Sequence, residues 1–195
     1  MGQRLDYLAG NGKRLQDEKG IAMTDEAGQG GLLVIWHSRT GAAKAMAGAV
    51  HAGALSAWTE GDGAAPLLLA ASEVTAEYLI DSRAYVFVCP ENLASMTGAM
   101  KEMFDICYYP VLGRIEGRPY ATAIAAGSDG SGAEAQIDRI VTGWRLRRVA
   151  EPLIVNMAAQ TPEAILAPKQ VPEPELDRCR EIGVALQSGL AMGIF

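Results

Sequence analysis

An α/β domain with a parallel sheet covered by helices on both faces is the fold that this sequence predicts, on three observations. After residue 30, short and wholly apolar runs alternate with longer segments whose apolar residues recur at helical spacing, the pattern of a sheet buried on both sides. The chain has 195 residues, the size of one domain rather than two. Its composition, 49% hydrophobic and 21% charged, is that of a globular chain and not of a disordered one.

Residues 1–30 are set apart. Gly10, Gly12, Gly20, Gly28 and Gly30 punctuate charges such as Arg4, Asp6, Lys13, Arg14, Asp17 and Glu18 with no sustained apolar period. They read as a poorly ordered or peripheral extension without a secretory apolar core, and Met23 is a candidate start. The single domain is expected over residues 31–195. Leu32 to Trp36 is a continuous apolar run and so a buried strand. Ala42, Ala45, Met46, Ala49, Val50 and Gly53 then trace a helix with a narrow small-residue face. Leu67 to Ala71 reads as a second strand, Glu73 to Ile80 as a short helix, and Ala84 to Cys89 as a third strand. Met100, Met103, Phe104, Cys107 and Tyr108 fall at i, i+3, i+4, i+7 and i+8 and mark the clearest helix. Tyr120 to Ala126 supplies a fourth strand, and Ala133, Ile137, Ile140, Val141 and Trp144 the face of the helix after it. Val149 to Val155 is a fifth strand, placed at an edge because Pro152 lacks an N–H. A loop punctuated by Pro162, Pro168, Pro172 and Pro174 leads to a closing helix through Leu176, Cys179, Ile182, Leu186 and Leu190.

Several function classes are disfavoured at once. A net charge of −6 with no long basic run removes the footprint of a protein that binds nucleic acid or anionic lipid. The longest apolar stretch, Ala64 to Ala71, is far short of the roughly 20 residues of a spanning helix. Cys89, Cys107 and Cys179 lack paired spacing and fit a reducing cytoplasm as small buried hydrophobes. His37 and His51 are too few for a multi-histidine metal site, so no metal is expected. Small molecules are the expected partners and a bound cofactor the expected source of chemistry.

Right-handed crossovers bring every strand-to-helix loop to the carboxyl edge of a parallel sheet, where ligands bind. Three loops there are rich in small or hydroxyl residues. The first, Ser38-Arg39-Thr40-Gly41-Ala42-Ala43, offers two hydroxyls, backbone N–H groups and the positive end of a helix dipole, which suits a phosphate. It suits an ordinary N-cap equally well. It matches neither the G-x-x-x-x-G-K-[ST] loop of nucleoside triphosphate sites nor G-x-G-x-x-G. The second runs from Pro90 through Glu91, Asn92, Leu93, Ala94, Ser95, Met96 and Thr97 to Gly98. The third is Gly127-Ser128-Asp129-Gly130-Ser131-Gly132, which also composes a plain surface turn.

The first loop resembles [ST]-x-T-G-x-[ST] of the flavodoxin-like family, matched in order by Ser38, Arg39, Thr40 and Gly41, with Ala43 in place of the last hydroxyl. The second, continuing to Lys101, Phe104 and Asp105, is similar to P-x-x-x-x-S-[MP]-x-x-x-[ML]-K-x-F-x-D of the branch of NAD(P)H-dependent FMN reductases and quinone reductases. The resemblance covers residues 31–155. It implies a three-layer sandwich on a five-stranded sheet of order 2-1-3-4-5. It also implies FMN held by Ser38, Arg39, Thr40, Gly41, Ala42 and Ala43 at the phosphate. Around the ring it implies Pro90, Glu91, Asn92, Leu93, Ser95 and Met96, with Gly127, Ser128, Asp129 and Gly130 beside it. Neither ring loop contains an aromatic, so one face of the flavin would stay open to a nicotinamide or a quinone. The implied activity is ping-pong hydride transfer from NADH or NADPH through FMN to a quinone-like acceptor, with no catalytic side chain beyond the flavin and in a homodimer or homotetramer. The alternative is an electron carrier or regulatory flavin-binding protein without turnover. Arg145, Arg147 and Arg148 read either as a holder of the extra phosphate of NADPH or as a solvated helix end. Lys101 and Asp105 read as a solvated pair.

Overall fold

The computed structural model describes residues 30–195; the expected extension, up to Gln29, lies outside the described residues. In chain order the elements are β1 (Leu32–Trp36), α1 (Ala42–Ala57), β2 (Leu67–Ala70), a 3-10 turn (Ala71–Glu73), α2 (Ala76–Asp81), β3 (Ala84–Asn92), β4 (Ser95–Met96), α3 (Gly98–Val111), β5 (Pro119–Ala126), α4 (Ser131–Gly143), β6 (Arg147–Arg148), β7 (Leu153–Asn156), α5 (Pro162–Leu166) and α6 (Glu173–Ala191). Strands β2, β1, β3 and β5 lie side by side in that order, all parallel, and β6 and β7 both pair with β5 on its free side. This is the flavodoxin-like strand order, with the fifth position shared by two short strands.

Period-two alternation along the central strands explains why they read as unbroken apolar runs. On β1, Leu32 and Val34 join the core beneath α1 and α6, whereas Leu33 and Ile35 join the core beneath α2, α3 and α4. On β3, Ala84, Val86 and Val88 face the first layer and Tyr85, Phe87 and Cys89 the second. Every one of these side chains is fully buried. A polar residue at any of them would be enclosed without water, which costs about 1–3 kcal/mol for an unpaired group.

The small-residue face of α1 packs against the sheet and also against α6. A Cβ on Gly53 would lie 2.1 Å from the Arg180 carbonyl oxygen, and one on Gly183 would lie 1.9 Å from that of Val50. The two helices therefore touch backbone to backbone. That contact fixes α1, and with it the loop that precedes α1 at the sheet edge.

Several elements differ from the sequence reading. The fifth strand, expected unbroken over Val149 to Val155, is split. Arg147–Arg148 pairs beside Pro119 and Tyr120, the chain leaves the ladder at residues 150–152, and Leu153 rejoins opposite Ala123. Pro152, unable to donate, sits in the gap. Strand β3 runs on through Pro90, Glu91 and Asn92 and folds back as β4, so the expected second loop is a hairpin. The second helix is a single 3-10 turn followed by six residues of α2. The proline-punctuated connection is not all loop, since it contains α5. Among the described residues no helix is long and apolar enough to cross a membrane.

Candidate functional site

The loops after β1, β3 and β5 line one cavity of about 530 Å³ at the carboxyl edge of the sheet, within the size range of small-molecule sites. Ser38, Arg39, Thr40, Ala42 and Ala43 form one wall. Gly41 does not line it. This glycine is the N-cap of α1 with a left-handed φ of 99°, which a side chain would strain. Its N–H donates to Ser38 Oγ at 3.1 Å, and the first intrahelical bond runs from Ala45 N–H to the Gly41 carbonyl. The N–H groups of Ala42, Ala43 and Lys44 thus have no partner inside the helix. No acidic residue lies in the first turn of α1, so its positive end stands uncompensated beside Arg39.

The second wall is the β3–β4 hairpin, with Pro90, Glu91, Asn92, Leu93 and Ala94 at the cavity. Its two-residue turn puts Leu93 at φ 53° and Ala94 at φ 56°. Positive φ at both positions is the type I′ pattern, which ordinarily places Asn or Gly there. Here the strain is carried by leucine and alanine, and Leu93 is wholly exposed at the rim. Strain of this kind gathers at functional sites. Ala94→Gly is expected to relieve it and raise stability by up to about 1 kcal/mol, read as a higher urea midpoint. Ser95 and Met96, expected at the ring, do not line the cavity. Ser95 Oγ donates to Gln136 Oε1 at 2.7 Å, and Met96, 4% exposed, belongs to the core against α3.

Only Gly127 and Ser128 of the glycine-rich loop reach the cavity. Asp129 turns to the hydroxyl of Ser131. Gly130 caps α4 with φ 92°, and its N–H donates to Glu91 Oε2 at 2.7 Å. Glu91 Oε1 accepts from the N–H groups of Gly132 at 3.0 Å and Ala133 at 3.2 Å. The glycines serve close approach: a Cβ on Gly132 would lie 2.3 Å from the Ala94 carbonyl oxygen, and one on Gly127 would lie 2.9 Å from that of Ala159.

The last wall was missed by sequence reasoning. Met157, Ala159, Ile165, Leu166 and Lys169 complete it. Lys169 N–H donates to the Thr40 carbonyl at 2.8 Å, clipping this segment to the first loop. Lys169 Nζ donates to the carbonyls of Ala164, Ile165 and Ala167 at the end of α5. A signal for α5 was present in Thr161-Pro162-Glu163, an N-cap followed by proline at the first helical position. Thr161 Oγ1 accepts from Ala164 N–H at 3.2 Å accordingly.

The arginine cluster lies away from the cavity. Arg148 forms ion pairs with Glu134 and with Asp138, the latter at 2.9 Å, and donates to Thr122 Oγ1 at 3.1 Å. Arg145 pairs with Glu116, and the Arg147 guanidinium lies 5.6 Å from the centre of the Phe195 ring. Lys101 and Asp105 form an exposed ion pair. Burial pushes the thiols of Cys89 and Cys179 up to about 12 and also raises that of Cys107, so none is a nucleophile at neutral pH. Among the described residues no group of three His, Cys, Asp or Glu could hold a metal.

His37, just before the first loop, has a buried Nδ1 without a hydrogen-bond partner. Burial, and secondarily the charge of Arg39, hold its imidazole below the ordinary value near 6.5. A depressed value means that the unfolded chain binds the proton more readily. Its contribution to stability is therefore complete above about pH 6.5 and is lost as pH falls toward the folded value. An NMR titration of His37 should give a midpoint below that of a free imidazole.

Residues 70–159 match the family model of NADPH-dependent FMN reductase. That stretch spans the hairpin, the glycine-rich loop and part of the last wall. The match covers just under half of the chain. No curated protein matches the sequence. Among solved structures, the chain is similar to a flavodoxin from the domain Archaea, with 15% identity over 82% of this chain and 98% of that one and a TM-score of 0.63. It is similar to the WrbA-like flavodoxin of Agrobacterium tumefaciens, with 14% identity over 84% and 98% and a TM-score of 0.56. It also matches 37% of the flavodiiron protein of Giardia intestinalis, with 20% identity over 86% of this chain and a TM-score of 0.66. At these identities the likeness establishes the fold.

Proposed function

We propose that the cavity binds FMN with its phosphate at the start of α1, and that the protein is an NAD(P)H-dependent oxidoreductase of small quinone-like acceptors working by a ping-pong cycle. One observation carries this reading. Of the polar surfaces that meet at the cavity, the α1 N-terminus combines unpaired N–H groups, the hydroxyls of Ser38 and Thr40, the Arg39 guanidinium and no acidic residue in its first turn. Such a surface suits a phosphate. The fit tolerates Ala43, because Arg39 supplies charge where a hydroxyl donor is lacking.

The remaining walls suit a flat ring with one polar edge. Pro90, Leu93, Ala125, Ala126 and Met157 give apolar contact, and Asn92 and Ser128 add polar groups. When bound, the flavin supplies the two-electron chemistry of the family. The chain's own residues hold it, orient it and restrict water. None of the residues lining the cavity is aromatic, so among the described residues no ring lines the wall and a nicotinamide or acceptor has room to stack. Among the described residues Arg39 and Lys169 are the cations at the cavity, and both nicotinamides are expected to serve. Residues 31–195 as one domain, a cytoplasmic location and a homodimer or homotetramer complete the reading.

Anaerobic mixing with NADH or NADPH tests it. Protein loaded with FMN should bleach and then recover its colour when a benzoquinone is added. Bound flavin that neither nicotinamide bleaches would leave an electron-carrier or binding role instead. Thr40→Val removes one hydrogen bond to a charged group, worth roughly 2 kcal/mol, so the dissociation constant for FMN should rise about 30-fold in a fluorescence titration.

A further inference from the structure

Helix α1 begins at the cavity wall and α4 begins behind Glu91, which lines that cavity, and the chain treats the two starts differently. Helix α1 starts after β1 on one face of the sheet and α4 starts after β5 on the other, with β3 between those strands. Either could attract an anion. The start of α1 has no acid in its first turn and no side-chain cap. The start of α4 already holds an anion of the protein's own. Glu91 reaches from β3 and accepts from Gly130 N–H through Oε2 and from Gly132 and Ala133 N–H through Oε1.

This contact joins the hairpin to the glycine-rich loop and the start of α4. Glu91 stands on the hairpin arm opposite Met96, and the hairpin turn packs so closely that Gly132 has no room for a Cβ. Both the hairpin and the Gly127–Ser128 backbone line the cavity. An ordinary N-cap would come from the helix's own flanking residues. Gly130 supplies none, although Asp129 is adjacent.

We infer that Glu91 is a specificity-determining residue, an internal anion that closes the α4 N-terminus to ligand and reserves anion binding for α1, thereby fixing which way a phosphate-bearing ligand enters the cavity. The inference rests on the proposed flavin site only in taking the flavin phosphate as the anion that α1 receives. Without Glu91 the cavity would offer two positive helix ends on opposite sides, and a ligand with one phosphate could bind in two directions. With Glu91 in place the glycine-rich loop contributes shape, and the first loop contributes charge.

The full chain, free of flavin, is titrated with inorganic phosphate while backbone amide resonances are followed by NMR. In the wild type, phosphate should shift the amides of Ala42 and Ala43 and leave those of Gly132 and Ala133 unmoved. In Glu91→Ala, Gly132 and Ala133 should also shift, with a dissociation constant at least tenfold below any seen there in the wild type. Glu91→Gln, which keeps the shape and removes the charge, should move in the same direction, and the dispersion of the same spectra reports whether each variant is folded. Amides of Gly132 and Ala133 that ignore phosphate in both variants, or that respond equally in the wild type, overturn the inference. A wild type in which Ala42 and Ala43 do not respond, together with a Glu91→Ala variant in which Gly132 and Ala133 do, upholds the role of Glu91 while counting against a phosphate site at α1.

Discussion

Gly183→Ala is expected to destabilise the protein by about 3 kcal/mol, at the upper end of the cost of overpacking. Helix propensity alone predicts the opposite sign, since alanine in a helix interior is favoured over glycine by about 1 kcal/mol. The structure decides between them. The added methyl would lie 1.9 Å from the carbonyl oxygen of Val50 and 2.7 Å from the backbone nitrogen of Ala54. Both are backbone atoms in the middle of α1, so no rotamer change relieves the clash, and the helices must separate. Because α1 opens at the proposed phosphate wall, their separation should also weaken FMN binding. Urea denaturation monitored by circular dichroism gives the sign directly, and Gly53→Ala, which meets the Arg180 carbonyl at 2.1 Å, should behave alike.

Trp144→Ala is expected to cost about 4 kcal/mol, the range for removing a large aromatic from a core. Trp144 is fully buried at the end of α4, its ring centre is 5.2 Å from that of Phe104 and 5.9 Å from that of Tyr108, and its indole N–H donates to the Tyr108 carbonyl at 3.2 Å. Truncation opens a cavity and also strands that carbonyl. Trp144→Phe keeps most of the packing and strands only the carbonyl, about 2 kcal/mol. Trp144 lies at the end of α4 remote from the cavity, so variants that still fold should bind flavin as the wild type does. The contrast with Gly183→Ala, where stability and binding fall together, separates global from local effects.

What could be read from the sequence follows how locally each feature is encoded. Leu32 to Ile35 announces a strand buried on both faces because all four side chains meet one core or the other. Met100, Met103, Phe104 and Cys107 announce α3 because its buried stripe needs only helical spacing. The hairpin at Leu93 and Ala94 was not legible, since the turn uses residues that disfavour positive φ and is held by long-range contacts with Gly132 and Gln136. Arg148 looks like part of a solvated run, yet Thr122, Glu134 and Asp138 draw it inward from elements up to 26 residues away. Glu91 falls within a segment the sequence assigns to the ring, but its capping of α4 becomes visible only once β3 and β5 are neighbours. Lys169 is a further case, clipped to Thr40 across more than a hundred residues.

The central claim is that the first loop receives a phosphate, and comparing FMN with riboflavin tests it most directly, since the two differ only in that group. Fluorescence titration of the purified protein should show FMN binding at least a hundredfold tighter than riboflavin, the equivalent of about 2.7 kcal/mol, with the difference shrinking in Thr40→Val. Equal affinity for the two flavins, or no binding of either, would contradict the account.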